Sequence, residues 1–282
     1  MVRAVCCVPV SPLRAEPAHK SEMVSQQLFG ESCLVLEEAK DWTRVRCSYD
    51  GYEGWCTRSH LVGVGRQEIG RQETDGWEIA GDKIDGPKTE PGGTVYALTP
   101  EWVNELEYNG QPMRVPLGST LTGLKKGRAA WGTHWGGNKI DYKGTRWDTD
   151  KAPRDAESIR RLAYTFLNTP YLWGGKSVFG VDCSGFTQTV MKFFGVPLLR
   201  DAYQQATQGE SVGFLEEARL GDLAFFDNAE GRITHVGILL NGREIIHASG
   251  KVRVDGIDNM GIVHAESFER THHLRVIRRA IR

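Results

Sequence analysis

Cys183 lies where a glycine-punctuated loop meets a segment with helical periodicity, and this placement could make its thiol a nucleophile. The periodicity predicts a helix over residues 183–194 with one buried face, ended by Gly195 and Pro197. The apolar positions of this helix are Phe186, Val190, Phe193 and Phe194. A helix begins with unpaired N–H groups and a partial positive charge, which favour a thiolate over a thiol. The alternative is that Cys183 is a small buried core residue.

A nucleophilic thiol needs a base, and two of the eight histidines lie in runs rich in β-forming residues. His235 lies in the run 233–240, and His247 lies in the run 243–248. The turn signal Asn241-Gly242 between the runs predicts a hairpin. Each histidine considered alone could be a hydrogen-bonded, half-buried strand residue. Together, after a cysteine at a helix start, they favour a catalytic site.

The length of the hairpin loop decides whether the two histidines share a face, because side chains alternate along a strand. A two-residue turn would pair Val236 with His247 and place His235 on the opposite face. A three-residue loop over 240–242, with Gly242 in the left-handed conformation, would pair His235 directly with His247. We predict the three-residue loop because it brings the two imidazoles together.

Several motifs follow one another in order around these three residues. They are Tyr171-Leu172-Trp173-Gly174-Gly175, Asp182-Cys183-Ser184-Gly185-Phe186, Gly221-Asp222-Leu223, Thr234-His235-Val236-Gly237-Ile238 and Ile246-His247-Ala248. This set resembles the NlpC-type cysteine peptidases, papain-like enzymes of bacterial cell-wall turnover. The resemblance implies an α+β fold in which the helix carrying Cys183 packs on an antiparallel sheet. It also implies Cys183 as the nucleophile, His235 as the general base and His247 as the polar residue that orients His235.

The oxyanion formed by attack on a carbonyl needs fixed donors, and the backbone N–H of Cys183 at the helix start is the first candidate. The resemblance adds the Tyr171 hydroxyl as a second donor and Trp173 as a pocket wall. Asp182 and Ser184, which flank the nucleophile, belong to the same predicted oxyanion- and substrate-binding set. The alternatives are a packed loop tyrosine for Tyr171 and core packing for Trp173.

The first part of the chain, residues 1–63, predicts a small all-β domain. It contains short β-prone runs and an Asp50-Gly51 turn signal. The segments 12–17 and 51–56 resemble a bacterial SH3-like domain, which is a frequent neighbour of this peptidase class. The first domain is therefore expected to be an SH3-like barrel.

Residues 64–148 are rich in Gly, Thr and Trp and predict a second, divergent SH3-like barrel. Within it, residues 100–108 could equally form a short helical insertion. Residues 149–282 then form the predicted NlpC-type peptidase domain, which begins with a helix that ends before Pro170.

Peptidases that resemble this chain cut the bond between γ-D-glutamate and a diamino acid in murein stem peptides. Those with N-terminal SH3-like domains often require a free N-terminal L-alanine. The resemblance therefore implies the substrate L-Ala-γ-D-Glu-diamino acid, in cell-wall peptide turnover or recycling.

Three residues resemble positions that bind the free amine of this substrate. Asp201 matches such a position in the peptidase domain, and a helix cap is its alternative role. Tyr52 matches a barrel tyrosine, with a surface turn as the alternative. Glu22 is the candidate barrel carboxylate, although the local alignment could place Val24 there, and a solvated charge is its alternative role.

Two other functions are compatible with the same motifs. The chain could be a cell-wall binding module with an inactive peptidase domain, or an amidase or acyltransferase on the same scaffold, since a fold alone does not fix the substrate. The intact set Cys183, His235 and His247 favours the peptidase.

Charge and composition exclude several other classes of protein. The 35 Lys and Arg residues against 36 Asp and Glu residues give a formal net charge of −1, which offers no basic excess for nucleic acid or an anionic membrane. No stretch approaches the ~20 apolar residues of a membrane-spanning helix. The cysteines other than Cys183 are odd in number and contain no C-x-x-C pair, so we expect buried reduced thiols and no metal or cofactor.

The N-terminal apolar run over residues 4–8 is ended by Pro9 and is too short for the hydrophobic region of a secretory signal. We expect it to be the first strand of a domain. The expected location is cytoplasmic, or periplasmic or extracellular if a signal sequence has been removed.

Overall fold

The computed structural model describes residues 2–64, 95–131 and 137–281 of the chain. The chain divides into two compact units, Met1–Ala152 and Pro153–Arg282. This division falls close to the predicted start of the peptidase domain at residue 149. Residues 65–94, in the predicted second SH3-like domain, lie outside the described residues.

The first sheet of the N-terminal unit has seven strands in the order β3-β2-β6-β5-β4-β1-β7. The strands are β1 (Arg3–Cys6), β2 (Val10–Arg14), β3 (Met23–Leu28), β4 (Ser32–Ala39), β5 (Trp42–Cys47), β6 (Glu53–Thr57) and β7 (Leu61–Val64). The apolar run over residues 4–8, which was expected to form the first strand, overlaps β1. The predicted turn lies between β5 and β6, where Gly51 has a φ of +72° and Asp50 accepts a hydrogen bond from the N–H of Tyr52. All six cysteines of the chain are free and buried, which confirms the prediction of reduced thiols.

The second part of this unit is also built from strands. They are β8 (Ala97–Leu98), β9 (Val103–Tyr108), β10 (Gln111–Pro116), β11 (Arg128–Trp131), β12 (Asn138–Asp141) and β13 (Trp147–Asp148). A four-stranded sheet has the order β10-β9-β12-β11, and β13 pairs with β8. The helical alternative for residues 100–108 is wrong, because buried and exposed side chains alternate along β9 with the period of a strand. Asn109 and Gly110, both with positive φ, form the tight turn that joins β9 to β10.

The two sheets of the N-terminal unit share one hydrophobic core. Its buried members are Val5, Phe29, Val64, Leu106, Val115, Leu121, Trp131, Ile140 and Tyr142. Hydrogen bonds also link the two parts: the Thr122 hydroxyl donates to the carbonyl oxygen of Gly30 at 2.7 Å. The two predicted SH3-like segments therefore pack as one compact unit, and their division at residues 63 and 64 stays a prediction.

The helices of the C-terminal unit are α1 (Ala156–Thr165), α2 (Cys183–Phe193) and α3 (Ala202–Gln205). The Asp155 carboxylate caps α1 by accepting from the N–H of Ser158 at 2.8 Å, and the helix ends before Pro170 as predicted. Every residue of α2 is buried, so the prediction of a single buried face is wrong. The reason is that α2 contacts β-strands as well as α1 and α3. Among the described residues, no helix is both long and apolar enough to cross a membrane.

The strands of the C-terminal unit form a hairpin and a barrel. They are β14 (Lys176–Ser177), β15 (Gly180–Val181), β16 (Glu210–Val212), β17 (Leu223–Asp227), β18 (Ile233–Leu239), β19 (Glu244–Ser249), β20 (Lys251–Asp258), β21 (Gly261–Val263) and β22 (Arg270–Arg279). The main sheet has the order β16-β22-β17-β18-β19-β20-β21. Because β21 also pairs with β22, the six strands β17 to β22 close into an antiparallel barrel, and α2 contacts β18 and β19.

Strand register places apolar and polar side chains at different levels of the barrel interior. The apolar cluster is Val212, Leu215, Ala224, Phe226, Leu239, Ile245, Ile257, Ile262 and Ile277. Leu239 pairs with Ile245 in this cluster, and two residues further along β19, His247 faces the same side. His272 pairs with Ile262 and so also faces inward. The barrel therefore carries histidines at one level of its interior, beside the apolar cluster.

Candidate active site

Cys183 is the first residue of α2, and its thiol lies against β18. The residue is 6% exposed, and its Sγ donates to the carbonyl oxygen of Thr234 at 4.0 Å. In the described strands, β18 pairs with β19 only from Gly237 onward. The backbone groups of β18 before Gly237 therefore do not bond to β19 and can bond to the thiol. The N–H of Val236 is one of them and favours the ionised sulfur. The thiol thus lies beside the two residues that flank His235.

Close backbone packing fixes the start of α2. Gly185 lies so near Gly175 that a Cβ at residue 185 would be 2.1 Å from the Gly175 carbonyl oxygen. Asp182 caps the helix by accepting from the N–H of Gly185 at 2.6 Å, and its other oxygen accepts from the N–H of Gly174 at 2.9 Å. One carboxylate therefore ties the glycine-rich loop to the helix and holds Cys183 in place.

A buried arginine neutralises the Asp182 carboxylate. Arg200 is 1% exposed and donates through its two Nη atoms to the two oxygens of Asp182, at 3.1 and 2.6 Å. It also donates to the Ser184 hydroxyl at 2.9 Å, and that hydroxyl donates to Asp182 at 3.3 Å. A carboxylate has about four lone-pair directions, and donors from the protein thus occupy those of Asp182. Asp182 and Ser184 thus support the start of α2, and their predicted contact with substrate or oxyanion stays a prediction.

His235 and His247 lie together, as the catalytic hypothesis requires. The Nε2 of His235 is 2.8 Å from the Nδ1 of His247, and the residues are 6% and 1% exposed. The contact is diagonal, because His247 pairs with Gly237 and His235 lies two residues earlier in β18. The predicted shared face is thus present in the structure, whereas the predicted direct pairing of His235 with His247 is wrong.

The hairpin loop explains this difference of two residues in register. The N–H of Leu240 donates to the carbonyl oxygen of Glu244 at 2.9 Å, so the loop has three residues but starts one residue later than predicted, at Asn241. The Asn241 side chain closes the loop by accepting from the N–H two residues later at 2.8 Å. Gly242 does not take the predicted left-handed conformation. It packs against Leu215, where a Cβ at residue 242 would lie 3.1 Å from the carbonyl oxygen.

A glycine in β18 makes the diagonal contact of the histidines possible. A Cβ at Gly237 would lie 2.8 Å from the Cβ of His247 and 2.7 Å from the Cδ1 of Ile245. A glycine inside a strand often marks such a close approach of a neighbour. Its position two residues after His235 was the sequence signal that could have predicted the observed register.

Asp255 continues the chain of hydrogen bonds, and sequence reasoning missed it. Its Oδ2 is 3.0 Å from the Nε2 of His247, and the residue is 3% exposed. Its Oδ1 accepts from Arg253 at 2.9 Å and from the N–H of Ala265 at 2.9 Å. Burial opposes the charge of Asp255, but these hydrogen bonds together lower its pKa below the ordinary value. The sequence feature that could have predicted this role is an acidic residue at an inward-facing position of a strand whose side chains alternate between the two faces.

His272, which sequence reasoning also missed, stacks on the ring of His235. The two ring centroids are 4.2 Å apart and the planes are inclined by 27°. Phe226 lies against both rings, with centroid distances of 5.8 Å to His235 and 5.9 Å to His272. Five strands, β17 to β20 and β22, thus supply side chains to one cluster. No local spacing in the sequence links His272 to the other histidines, because its strand is the last in the chain.

Burial favours the neutral form of the Cys183 thiol, the predicted nucleophile. Burial, followed by the negative charge of Asp182, raises the pKa of the Cys183 thiol to about 12. The N–H groups of Val236 and Ser184 and the charge of Arg200 act in the opposite direction and do not compensate. The expectation that the helix start would lower this pKa is therefore wrong, because desolvation outweighs the charge of the helix terminus.

Burial also favours the neutral form of His235, the predicted base. Burial lowers the pKa of His235 well below its ordinary value, and positive charge on His247 or His272 would lower it further. A neutral imidazole can accept a proton, and a neutral thiol can supply one. Transfer of the proton from Cys183 to His235 during attack on a carbonyl stays a prediction; catalytic hydrogen bonds often tighten only when substrate is bound.

Two predicted loop residues lie near the nucleophile in sequence, and the structure describes both. Burial raises the pKa of the Tyr171 phenol, and the electrostatic influence of Cys183 and Asp182 raises it further. Trp173 is 61% exposed, so the alternative of core packing is wrong. The roles of Tyr171 as an oxyanion donor and of Trp173 as a pocket wall stay predictions.

The remaining predicted ligands belong to different parts of the chain. Asp201 is the N-cap residue of α3, and its N–H donates to the Gln204 side chain at 3.1 Å. In the N-terminal unit, Tyr52 is half-buried and Glu22 is exposed. Val24, the alternative to Glu22, packs against the core of the first sheet. Their contribution to substrate binding stays a prediction.

A buried cysteine at a helix start, packed on an antiparallel barrel that carries a hydrogen-bonded histidine pair, defines a papain-like cysteine peptidase. Comparison with known proteins agrees with this class. The NlpC/P60 family matches residues 168–267, and the bacterial dipeptidyl-peptidase Sh3 domain matches residues 13–61.

Several relatives and solved structures resemble most of the chain. The γ-D-glutamyl-L-lysine dipeptidyl-peptidase of Bacillus subtilis (strain 168) is 30% identical over 233 residues, which cover 79% of this chain and 71% of that protein. The protein of the same name from Bacillus cereus (strain ATCC 10987 / NRS 248) is 29% identical over 244 residues, covering 81% and 68%. A crystal structure of an NlpC/P60 family protein from Bacillus cereus ATCC 10987 has the same fold, with a TM-score of 0.74, 21% identity and 99% coverage of both chains. The chain belongs to the NlpC/P60 family of cysteine peptidases.

Proposed function

We propose that this protein is a γ-D-glutamyl-L-diamino acid endopeptidase that acts on murein peptides with a free N-terminal L-alanine, in cell-wall peptide turnover or recycling. The observations that support the peptidase activity are the contact of the Cys183 thiol with Thr234, the residue before His235, and the 2.8 Å ring contact of His235 with His247. The substrate class is supported by two relatives named γ-D-glutamyl-L-lysine dipeptidyl-peptidases, which match 79% and 81% of the chain.

The proposed reaction uses the three residues in two steps. The Cys183 sulfur attacks the carbonyl carbon of the γ-glutamyl amide, and its proton moves to His235. The C–N bond breaks as His235 gives this proton to the leaving amine of the diamino acid. Water then attacks the thioester as His235 accepts a proton from it. The C–S bond breaks, His235 returns this proton to the Cys183 sulfur, and L-Ala-γ-D-Glu is released. His247 holds the ring of His235 throughout.

Recognition of a free amine requires a group that distinguishes an ammonium from an amide. A carboxylate does so through a charge-assisted hydrogen bond, which an acetylated amine cannot make in the same way. Asp201 is our candidate in the peptidase unit, and it follows directly after the buried Arg200, which is fixed by its bonds to Asp182. Tyr52 and Glu22 are the candidates from the N-terminal unit.

The test compares L-Ala-γ-D-Glu-L-Lys and its diaminopimelate analogue with their N-acetylated forms, and identifies the products by mass spectrometry. We expect cleavage of the free peptides, none with Cys183→Ala, and a loss of about 10²-fold in kcat/KM on acetylation, which corresponds to about 3 kcal/mol. Asp201→Asn should raise KM for the free peptide and leave the acetylated peptide unaffected. Asp258→Asn, at an exposed carboxylate of the same unit, is the matched control.

The outcomes separate the parts of the proposal. Equal cleavage of free and acetylated peptides would refute recognition of the amine. Cleavage of neither, in a preparation whose Cys183 still reacts with iodoacetamide, would refute the substrate class. Hydrolysis of a muramyl-linked amide would identify an amidase, and binding to cell wall without any hydrolysis would identify a binding module.

A further inference from the structure

Asp255 ends a hydrogen-bonded chain that runs through His247 to the base. The chain has a contact of 3.0 Å from Asp255 to His247 and a contact of 2.8 Å from His247 to His235. We propose that Asp255 is a positioning residue for the reaction: acting through His247, it holds His235 in the tautomer whose Nδ1 accepts the thiol proton.

The proton positions follow from the groups at the two ends of this chain. An ionised carboxylate can only accept, so the Nε2 of His247 carries a proton and donates it to Asp255. A neutral His247 then has an unprotonated Nδ1, which accepts from the Nε2–H of His235. A neutral His235 with its proton on Nε2 has its lone pair on Nδ1. The carboxylate thus determines, two rings away, which nitrogen of the base is free.

The Asp255 carboxylate is itself held in a fixed orientation. Arg253 and the N–H of Ala265 both donate to Oδ1, at 2.9 Å each, which leaves Oδ2 for His247. The Asp255 side chain is 2% exposed, so water does not compete for these bonds. An ion pair in this setting keeps the carboxylate charged, and its charge also stabilises the imidazolium that forms on His235.

Other charged and titratable groups lie near the hydrogen-bonded series Asp255–His247–His235. His272 of β22 stacks on His235, and Cys183 of α2 lies at the residues that flank it. Arg253 lies on the same strand as Asp255 and pairs with it. None of these groups bonds to the Nε2 of His247 among the described residues, so the proton on that atom is directed by Asp255.

The variant Asp255→Asn should reverse the direction of both hydrogen bonds that link residue 255 to His235 through His247. Arg253 and the N–H of Ala265 can only donate, so they hold the amide oxygen and turn the amide NH₂ toward His247. The Nε2 of His247 must then accept, which moves the proton of that ring to Nδ1. That N–H donates to the Nε2 of His235, and the proton of His235 moves to Nδ1. The base would then present an N–H to the thiol.

Two measurements that need no peptide substrate test whether Asp255 sets the tautomer of His235. In protein with ¹⁵N-labelled histidine, the two-bond ¹H–¹⁵N spectrum shows which nitrogen of each ring is protonated, with signals assigned by His235→Gln and His247→Gln. The rate of alkylation of Cys183 by iodoacetamide between pH 5 and 9, read from the mass of its peptide, reports transfer of its proton to His235. We expect a protonated Nε2 on His235 in the wild type and a protonated Nδ1 in Asp255→Asn.

Alkylation should be about 10²- to 10⁴-fold slower in Asp255→Asn, as expected for loss of a correctly oriented general base. Asp258→Asn, on the same strand but at an exposed ion pair, should change neither measurement. A protonated Nδ1 on His235 in the wild type would overturn the proposal even if the variant does not fold. Unchanged tautomers and alkylation rates in a folded Asp255→Asn would also overturn it, whereas failure of the peptide assay alone would not bear on it.

Discussion

Replacement of Arg200 by methionine tests how strongly the start of the catalytic helix depends on one buried ion pair. Arg200 and Asp182 have side chains 1% and 9% exposed, and they are joined by two hydrogen bonds. Methionine fills a similar volume with apolar atoms. The Asp182 carboxylate would keep its bonds to the N–H groups of Gly185 and Gly174 but would have no cation beside it.

The expected loss is large because the remaining charge is buried. Removal of one partner of a buried pair typically costs about 3–5 kcal/mol, whereas removal of both charges costs much less. The double variant Arg200→Met with Asp182→Asn should therefore regain most of the loss, since asparagine is as good an N-cap as aspartate. A deficit of about 1–2 kcal/mol should remain for the N–H of Gly174, which loses its acceptor.

The assay is urea unfolding followed by hydrogen-exchange mass spectrometry, because peptides from residues 183–193 then report separately from the N-terminal unit. Alkylation of Cys183 at a urea concentration where the variant is folded gives a second readout. The unscreened Asp182 charge should raise the pKa of the Cys183 thiol further and slow alkylation. If Arg200→Met costs less than about 1 kcal/mol, or if the double variant is no more stable than the single one, the two charges are not coupled as described.

Three further predictions concern the barrel. Gly237→Ala should lower activity about 10-fold or more, because its Cβ would lie 2.8 Å from the Cβ of His247 and displace that ring. The control is Gly256→Ala, whose Cβ would meet its nearest atom at 3.5 Å. Equal activities of the two variants would contradict the argument. Burial lowers the pKa of His272 to about 4 and lowers that of His235 as well. The unfolded chain therefore binds more protons below pH 6.5, and stability should fall with acidification by up to about 1.4 kcal/mol per pH unit for each histidine, as measured by urea unfolding at pH 7.5, 6 and 5. His272→Phe should reduce this slope while keeping a ring stacked on His235, and an unchanged slope would show that His272 is not buried as described.

Local sequence patterns were sufficient to predict the helix and strands that carry the site residues. The helix at Cys183, the strands at His235 and His247 and the turn at Asp50-Gly51 all follow from periodicity or from residues with special backbone conformations. The details that failed depend on longer-range contacts. The loop after Leu240 starts one residue later than predicted because Asn241 closes it and Gly242 packs against Leu215, which is distant in sequence.

The residues missed by sequence reasoning share one property. Arg200, Asp255 and His272 reach the site from segments that are separated from Cys183 and His235 along the chain, and no spacing rule connects them. Asp255 meets His247 because β20 pairs with β19, and His272 meets His235 because β21 pairs with β22 and closes the barrel. Strand order and register, which depend on the packing of the whole domain, decide these contacts.

The amino-acid sequence alone determined which chemical groups are present and how each is held locally: a cysteine at a helix start, two histidines on one face of a hairpin, and glycines where backbones approach. Only the tertiary structure decided the charge state and the supporting groups. Desolvation depends on everything that covers a side chain, and it raises the pKa of the Cys183 thiol and lowers that of the His235 imidazole despite the helix terminus. The barrel then adds Asp255 and His272 to the base, because closure of a sheet brings together strands from distant parts of the chain.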